Sequence, residues 1–106
     1  MEVTGRPRIR GVGVDAQGRC AHYHREVDVV ALWCVTCQQF WACHACHEEL
    51  ANHRFGRAPV RGVAAVLCGA CGFTMEAAQY QCVTQCPACG HGFNPGCAAH
   101  ASRYFM

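Results

Sequence analysis

The sequence predicts a small zinc-stabilised domain, irregular, with short β-hairpins in place of a large sheet or a helical bundle. Three observations lead there. Cysteines arrive as Cys-x2-Cys pairs with histidines beside them. Each such turn brings two thiolates to one point, half of a tetrahedral zinc shell. The chain is also too poor in core formers to stand alone: 3 Leu, 1 Ile, 11 Val and 5 Phe make 20 of 106 residues, about the level at which an unstapled chain stays unfolded. A core this thin needs cross-links. Finally, turn residues punctuate short β-branched runs throughout.

Metal is favoured over disulfide as the cross-link. Eleven cysteines is an odd number, and a disulfide framework has no reason to set His next to Cys. The start, Met1 to Arg10, carries arginines but no apolar signal core. No run approaches the roughly 18 apolar residues of a membrane span. These features predict a reducing, cytoplasmic compartment with no membrane association. The formal charge of +2 comes from nine arginines and no lysine against seven acids. Nine thiolates and three divalent ions would shift it by −3, to about −1, which removes most of a basic footprint for nucleic acid.

Residues 1–19 read as an N-terminal arm in which Ile9, Val12 and Val14 could form a short edge strand before the Asp15-Ala16-Gln17-Gly18 turn. Cys20-Ala21-His22-Tyr23 offers sulfur and imidazole on alternate residues, with Tyr23 expected to pack beside the metal. Glu26 to Trp33 is β-branched and predicts a strand feeding the Cys34/Cys37 knuckle. Phe40 and Trp41, between the knuckles, are expected to shield the site from water. After Cys43 and Cys46 comes His47-Glu48-Glu49-Leu50-Ala51-Asn52-His53, a short helix or turn. It is no HExxH protease motif, because its second His lies six positions on rather than four. His44, flanked by ligands, is expected to point away.

Arg54 to Arg61 holds Gly, Pro and three arginines and reads as a hinge. Gly62 to Leu67 predicts a strand into the next knuckle. Cys68-Gly69-Ala70-Cys71-Gly72 and Cys86-Pro87-Ala88-Cys89-Gly90 are matched knuckles, each with a glycine able to turn left-handed. A hairpin of Phe73–Met75 against Tyr80–Val83 is expected to bring them together as a zinc ribbon. In the tail, Cys97 and His100 would share one face of a short C-terminal helix, either packing or binding metal. Cys82 and His91 are likewise open between bland and metal or redox roles.

Twelve donors then divide into three tetrahedral sets, calling for three zinc ions. Cys68, Cys71, Cys86 and Cys89 form the ribbon set. The other eight could be used in sequence or interleaved. Sequential use would strain adjacent Cys46 and His47 on one ion. Interleaving avoids this, with Cys20, His22, Cys43 and Cys46 on one zinc and Cys34, Cys37, His47 and His53 on another. The cross-braced version is preferred.

The motif order, Cys-x-His-Tyr at Cys20–Tyr23, paired knuckles, Cys-His-Glu-Glu at Cys46–Glu49, a later His53 and two final knuckles, resembles CHY-type zinc fingers over about residues 20–89. It implies a cross-braced two-zinc CHY unit at 20–57 followed by a zinc-ribbon-like unit at 58–106. The short, arginine-only, Ala/Gly-rich chain looks like a stand-alone bacterial member. Larger eukaryotic relatives join the finger to a RING domain in ubiquitin ligases. No RING follows here, so ligase activity is not expected to carry over. A relative in yeast mitochondria assists thiol oxidation of an import factor by withdrawing zinc. The resulting expectations are a protein-binding module with structural zinc or, alternatively, a thiol-redox or zinc-handling protein. No catalytic triad, phosphate loop or carboxylate pair predicts an enzyme or a small-molecule substrate. A protein partner of unknown identity is expected.

Overall fold

A computed structural model describes residues 8–94 and 103–106. Five short strands form one mixed sheet in the order β1-β3-β2-β4-β5. They are β1 (Ile9–Arg10), β2 (Val30–Cys34), β3 (Gln39–Trp41), β4 (Val66–Cys68) and β5 (Thr74–Met75), with helices α1 (His44–Leu50) and α2 (Ala77–Tyr80). The strand β2 is central and nearly all buried. It pairs antiparallel with β3 on one side and β4 on the other, so a single sheet carries both halves of the chain. The Cα radius of gyration, 12.5 Å, is close to the roughly 13 Å of about 100 residues packed as one body.

The sheet is short because zinc knuckles take the place of its turns. Between β2 and β3 the chain reverses through Cys34–Cys37, with Gln38 N–H bonded to the Cys34 carbonyl at 2.8 Å and Gln38 itself at φ 57°. Between β4 and β5 it reverses through Cys68–Cys71. There Gly72, at φ 87°, donates to the Cys68 carbonyl at 2.7 Å. Gly90, at φ 79°, repeats that bond to Cys86 at 2.8 Å. A side chain at either glycine would strain the left-handed turn, so the expectation from the two Cys-x2-Cys-Gly segments holds at backbone level.

Side-chain alternation divides the core. Val30 and Leu32 of β2 join Val66, Met75, Tyr80, Phe93 and Phe105 in the main cluster. Ala31 faces the opposite side, with Phe40 and Leu67. A third cluster, built on Trp41, Cys34, Cys43 and Cys46, is mostly metal-site sulfur.

Several local expectations are corrected. Tyr80–Val83 is not a strand. Ala77, Ala78 and Gln79 favour helix, and α2 continues into a turn through Cys82 and Val83 hydrogen bonds. The β4–β5 pairing, with Val66 opposite Met75, is the hairpin there instead. The N-terminal strand is only two residues and runs parallel to β3. Residues 54–61, expected as a hinge, are pinned. Gly56 accepts from Val35, Val60 accepts from Ala78, and Ala58 exchanges bonds with Tyr104 and Met106. Tyr23, next to the candidate donor His22, is 47% exposed. The expected helix containing Cys97 and His100 lies outside the described residues. No helix among the described residues is long and apolar enough to cross a membrane.

Candidate metal centres

Helix α1 organises the first two sites. Cys43 is its N-cap, extended at φ −163°, and its Sγ accepts the Cys46 N–H at 3.4 Å. The helix starts at His44, three residues before the expected position, because a sulfur replaces the usual Ser or Asp cap. Cys46 and His47 are consecutive on it, so their side chains diverge by about 100° around the axis. The structure sends them to different clusters, and both are buried.

Site 1 gathers Cys20, His22, Cys43 and Cys46; site 2 gathers Cys34, Cys37, His47 and His53; site 3 gathers Cys68, Cys71, Cys86 and Cys89. Within each set the donor atoms lie within 4.8 Å of one another. Whether they fit zinc can be tested on the edges of a tetrahedron. Zinc–sulfur bonds of about 2.3 Å and zinc–nitrogen bonds of about 2.0–2.1 Å give edges of about 3.8 Å for S···S, 3.6 Å for S···N and 3.3 Å for N···N. Sulfur pairs stand 3.6 Å apart for Cys20–Cys43 and Cys43–Cys46, 3.7 Å for Cys71–Cys86 and 3.9 Å for Cys68–Cys89. In site 1, His22 Nδ1 lies 3.4 Å from Cys46 Sγ and 3.5 Å from Cys43 Sγ. In site 2, His53 Nε2 is 3.6 Å from Cys34 Sγ and 3.2 Å from His47 Nε2. The three clusters fit three zinc ions.

Each site has a buried half and an outward donor. Cys20, Cys43 and Cys46 are buried while His22 is exposed, and Cys34 and His47 are buried while Cys37 and His53 are half-buried. Cys68 and Cys86 are buried while Cys89 is exposed. Groups around the donors fix their aim. His22 turns its other nitrogen to Glu49 Oε2 at 2.6 Å, the carboxylate–histidine arrangement that orients a metal-bound imidazole. His53 Nδ1 meets Asn52 Oδ1 at 3.1 Å. Trp41 Nε1–H donates to Cys37 Sγ at 3.3 Å, and its ring meets His47 edge-on at 4.9 Å. Backbone N–H groups of Val12 and Gly56 donate to Cys46 and Cys34 at 3.3 and 3.1 Å.

The thiols are polarised accordingly. Burial alone would raise Cys34, yet the backbone at Cys37 and Gly56 pulls it down to about 7. Cys86 is likewise brought to about 7, against burial, by the backbone at Cys89 and Ala88. Burial pushes Cys43 well above its ordinary value, with neighbouring sulfurs adding to the effect, and Cys68 goes up to about 12. Thiolates beside thiols that resist ionising are a donor set that a divalent cation would relieve.

The remaining sequence candidates fall outside these sets. His44 lies against Tyr104 and Phe55, with ring centroids 6.2 and 6.4 Å away. His91 Nε2 meets the Glu26 carbonyl oxygen at 2.8 Å, and Cys82 is exposed. Phe40 packs with Ala31 and Leu67 on the sheet rather than over a site. The supporting roles of Glu49 and Asn52 went unread in the sequence. The acidic pair Glu48-Glu49 after His47 is the sequence signal that bears on the first of them.

Comparison with known proteins adds relatives over nearly the whole chain. An uncharacterised protein of Schizosaccharomyces pombe is 42% identical over 99 residues, covering 92% of this chain and 88% of its own. Helper of Tim protein 13 of Kluyveromyces lactis is 42% identical over 101 residues, 93% of this chain and 89% of that one. Helper of Tim protein 13 of Saccharomyces cerevisiae is 37% identical over 104 residues, with 92% and 90% covered. These relatives are fungal, whereas composition had suggested bacterial kinship. The CHY zinc finger profile matches residues 20–103, and with all three donor sets inside that span, the chain belongs to the CHY zinc finger family.

Proposed function

We propose that this chain is a protein-binding module whose three zinc ions are structural, with no catalytic step of its own. The closure of the sites carries this reading. Each offers four side-chain donors, so bound zinc would keep no position for water or substrate. Zinc held there supplies cross-links that the thin core lacks. The name Helper of Tim protein 13 gives two relatives an assisting role toward a Tim protein, and an assisting role toward a client protein is what we take over here. Nucleic acid and small-molecule substrates have no part in it.

Chemical cross-linking of zinc-loaded and chelated protein to a client is the test. Capture should require zinc, and capture that survives chelation would overturn the reading. One observation favours a second function, thiol-redox or zinc handling: Cys89, a site 3 donor, and Cys82 are both exposed, where oxidant or another thiol could reach them. Titration with peroxide against a metallochromic dye separates the two. Zinc release at low oxidant, reversed by added thiol, supports the second, and inert sites support the first.

A further inference from the structure

Beside site 2 the surface opens into a cleft of about 750 Å³. Three elements wall it: α1, the segment after it, and the C-terminal residues from Arg103. Arg54, Arg57 and Arg103 line the cleft, and each is exposed. Among the described lining residues Glu48 is the one acid, and its carboxylate lies 3.9 Å from His44 Nδ1. Phe55 gives the cleft an aromatic wall, held edge-on by Tyr104 at 5.2 Å and His47 at 5.0 Å.

The walls are fixed to one another. At the start of α1 the Tyr104 hydroxyl oxygen accepts the His44 N–H at 2.9 Å. The Ala58 N–H bonds the Tyr104 carbonyl at 2.9 Å, and the Met106 N–H bonds the Ala58 carbonyl at 2.9 Å. A preorganised recess binds with less loss of conformational freedom than a mobile one.

From this arrangement we infer that the cleft docks an acidic peptide segment of a protein partner, Asp and Glu carboxylates meeting the arginines while an apolar side chain rests on Phe55. Its volume lies within the range of ligand-binding recesses, roughly 300–1,000 Å³, and is large for a single inorganic anion. Guanidinium groups suit carboxylates because they offer paired N–H donors in one plane. Three arginines around one concavity match two or three carboxylates. A nucleic-acid duplex would call for a long basic stripe instead.

The docking site rests on the binding-module reading and gives that module a partner chemistry. A fluorescein-labelled octapeptide of Glu and Asp around one Phe is titrated into zinc-loaded protein by fluorescence anisotropy, with a Lys counterpart as control. The acidic peptide should bind saturably and the basic one should not. Arg54→Glu combined with Arg57→Glu should weaken binding at least tenfold, and Arg61→Glu, outside the cleft, should change it less than twofold. Should the double variant fail to hold its zinc, Arg103→Glu, from a separate wall, must weaken binding at least threefold. No saturation at about 1 mM peptide, equal binding of both peptides, undiminished binding by the variants, or displacement by a DNA duplex at equal charge concentration would each overturn the inference. A client captured equally by the double variant would leave the module reading standing and overturn this one.

Discussion

Sites 1 and 2 and site 3 gather their donors in different ways, around strands of the same sheet. In the first pair the donors interleave, and α1 contributes to both: Cys43 and Cys46 to site 1, His47 to site 2. Each of these sites also mixes sulfur with imidazole, and two of the three imidazoles, His22 and His53, are held by Glu49 and Asn52. Site 3 is all sulfur, drawn from two near-identical knuckles that serve no other site. It keeps one donor, Cys89, in solvent. Ligand type therefore matters less than which backbone segment is shared. A shared helix makes two sites one mechanical unit, whereas separate knuckles make a site that can empty alone.

The comparison breaks at once if metal is not the main support of both regions. Structural zinc contributes on the order of 10 kcal/mol or more per site near neutral pH, far above what a small core leaves after chain entropy. Chelation should collapse the circular dichroism of the whole chain, the shared sheet included. A folded spectrum after complete zinc removal would mean that β2 and its neighbours stand without the sites.

Cys46→Ser against Cys89→Ser sharpens it. Losing the Cys46 sulfur removes a buried site 1 donor and the acceptor of the Val12 N–H, which frees the first turn of α1, so His47 should lose its position as well. Native mass spectrometry should then count one zinc where the wild type counts three. Cys89→Ser should leave two, with sites 1 and 2 intact. Equal counts in the two variants would deny the coupling through α1.

Much of this contrast was legible in the sequence, because Cys-x2-Cys turns are local and their spacing fixes which donors can meet. The divergence of Cys46 and His47 followed from their adjacency, and the glycines after Cys71 and Cys89 announced their left-handed turns. What was missed depended on distant contacts. Tyr80 looks like strand by composition, but Ala77 buries against the main cluster and Ala78 bonds Val60, which favours a helical turn. Gly56, Pro59 and the arginines suggested a hinge, yet the C-terminal residues supply hydrogen bonds to Ala58 that no local pattern reveals. Glu49 is invisible for the same reason: its partner lies 27 positions earlier, at His22.

Glu49→Gln asks how far one supporting contact reaches. Losing such a carboxylate partner weakens metal affinity roughly 10- to 100-fold. Competition with a chromophoric chelator should show one of the three zinc ions released earlier, and the other two unchanged. Earlier release of two ions would show that even a peripheral contact on α1 is felt at site 2.

The smallest effect tests the far side of the same helix. Tyr104→Phe deletes only a hydroxyl oxygen, the acceptor of the His44 N–H at 2.9 Å, and leaves the ring against Phe55 and Phe105. A net contribution of about 1 kcal/mol is expected for such a bond. Because His44 opens α1, the loss falls on the helix that two sites share. Amide exchange should therefore quicken about fivefold through His44–Leu50 while the Cys68–Cys71 knuckle keeps its protection. Uniform quickening across both regions would mean that the C-terminal residues brace the sheet as a whole, and that the independence ascribed to site 3 is confined to its ligands.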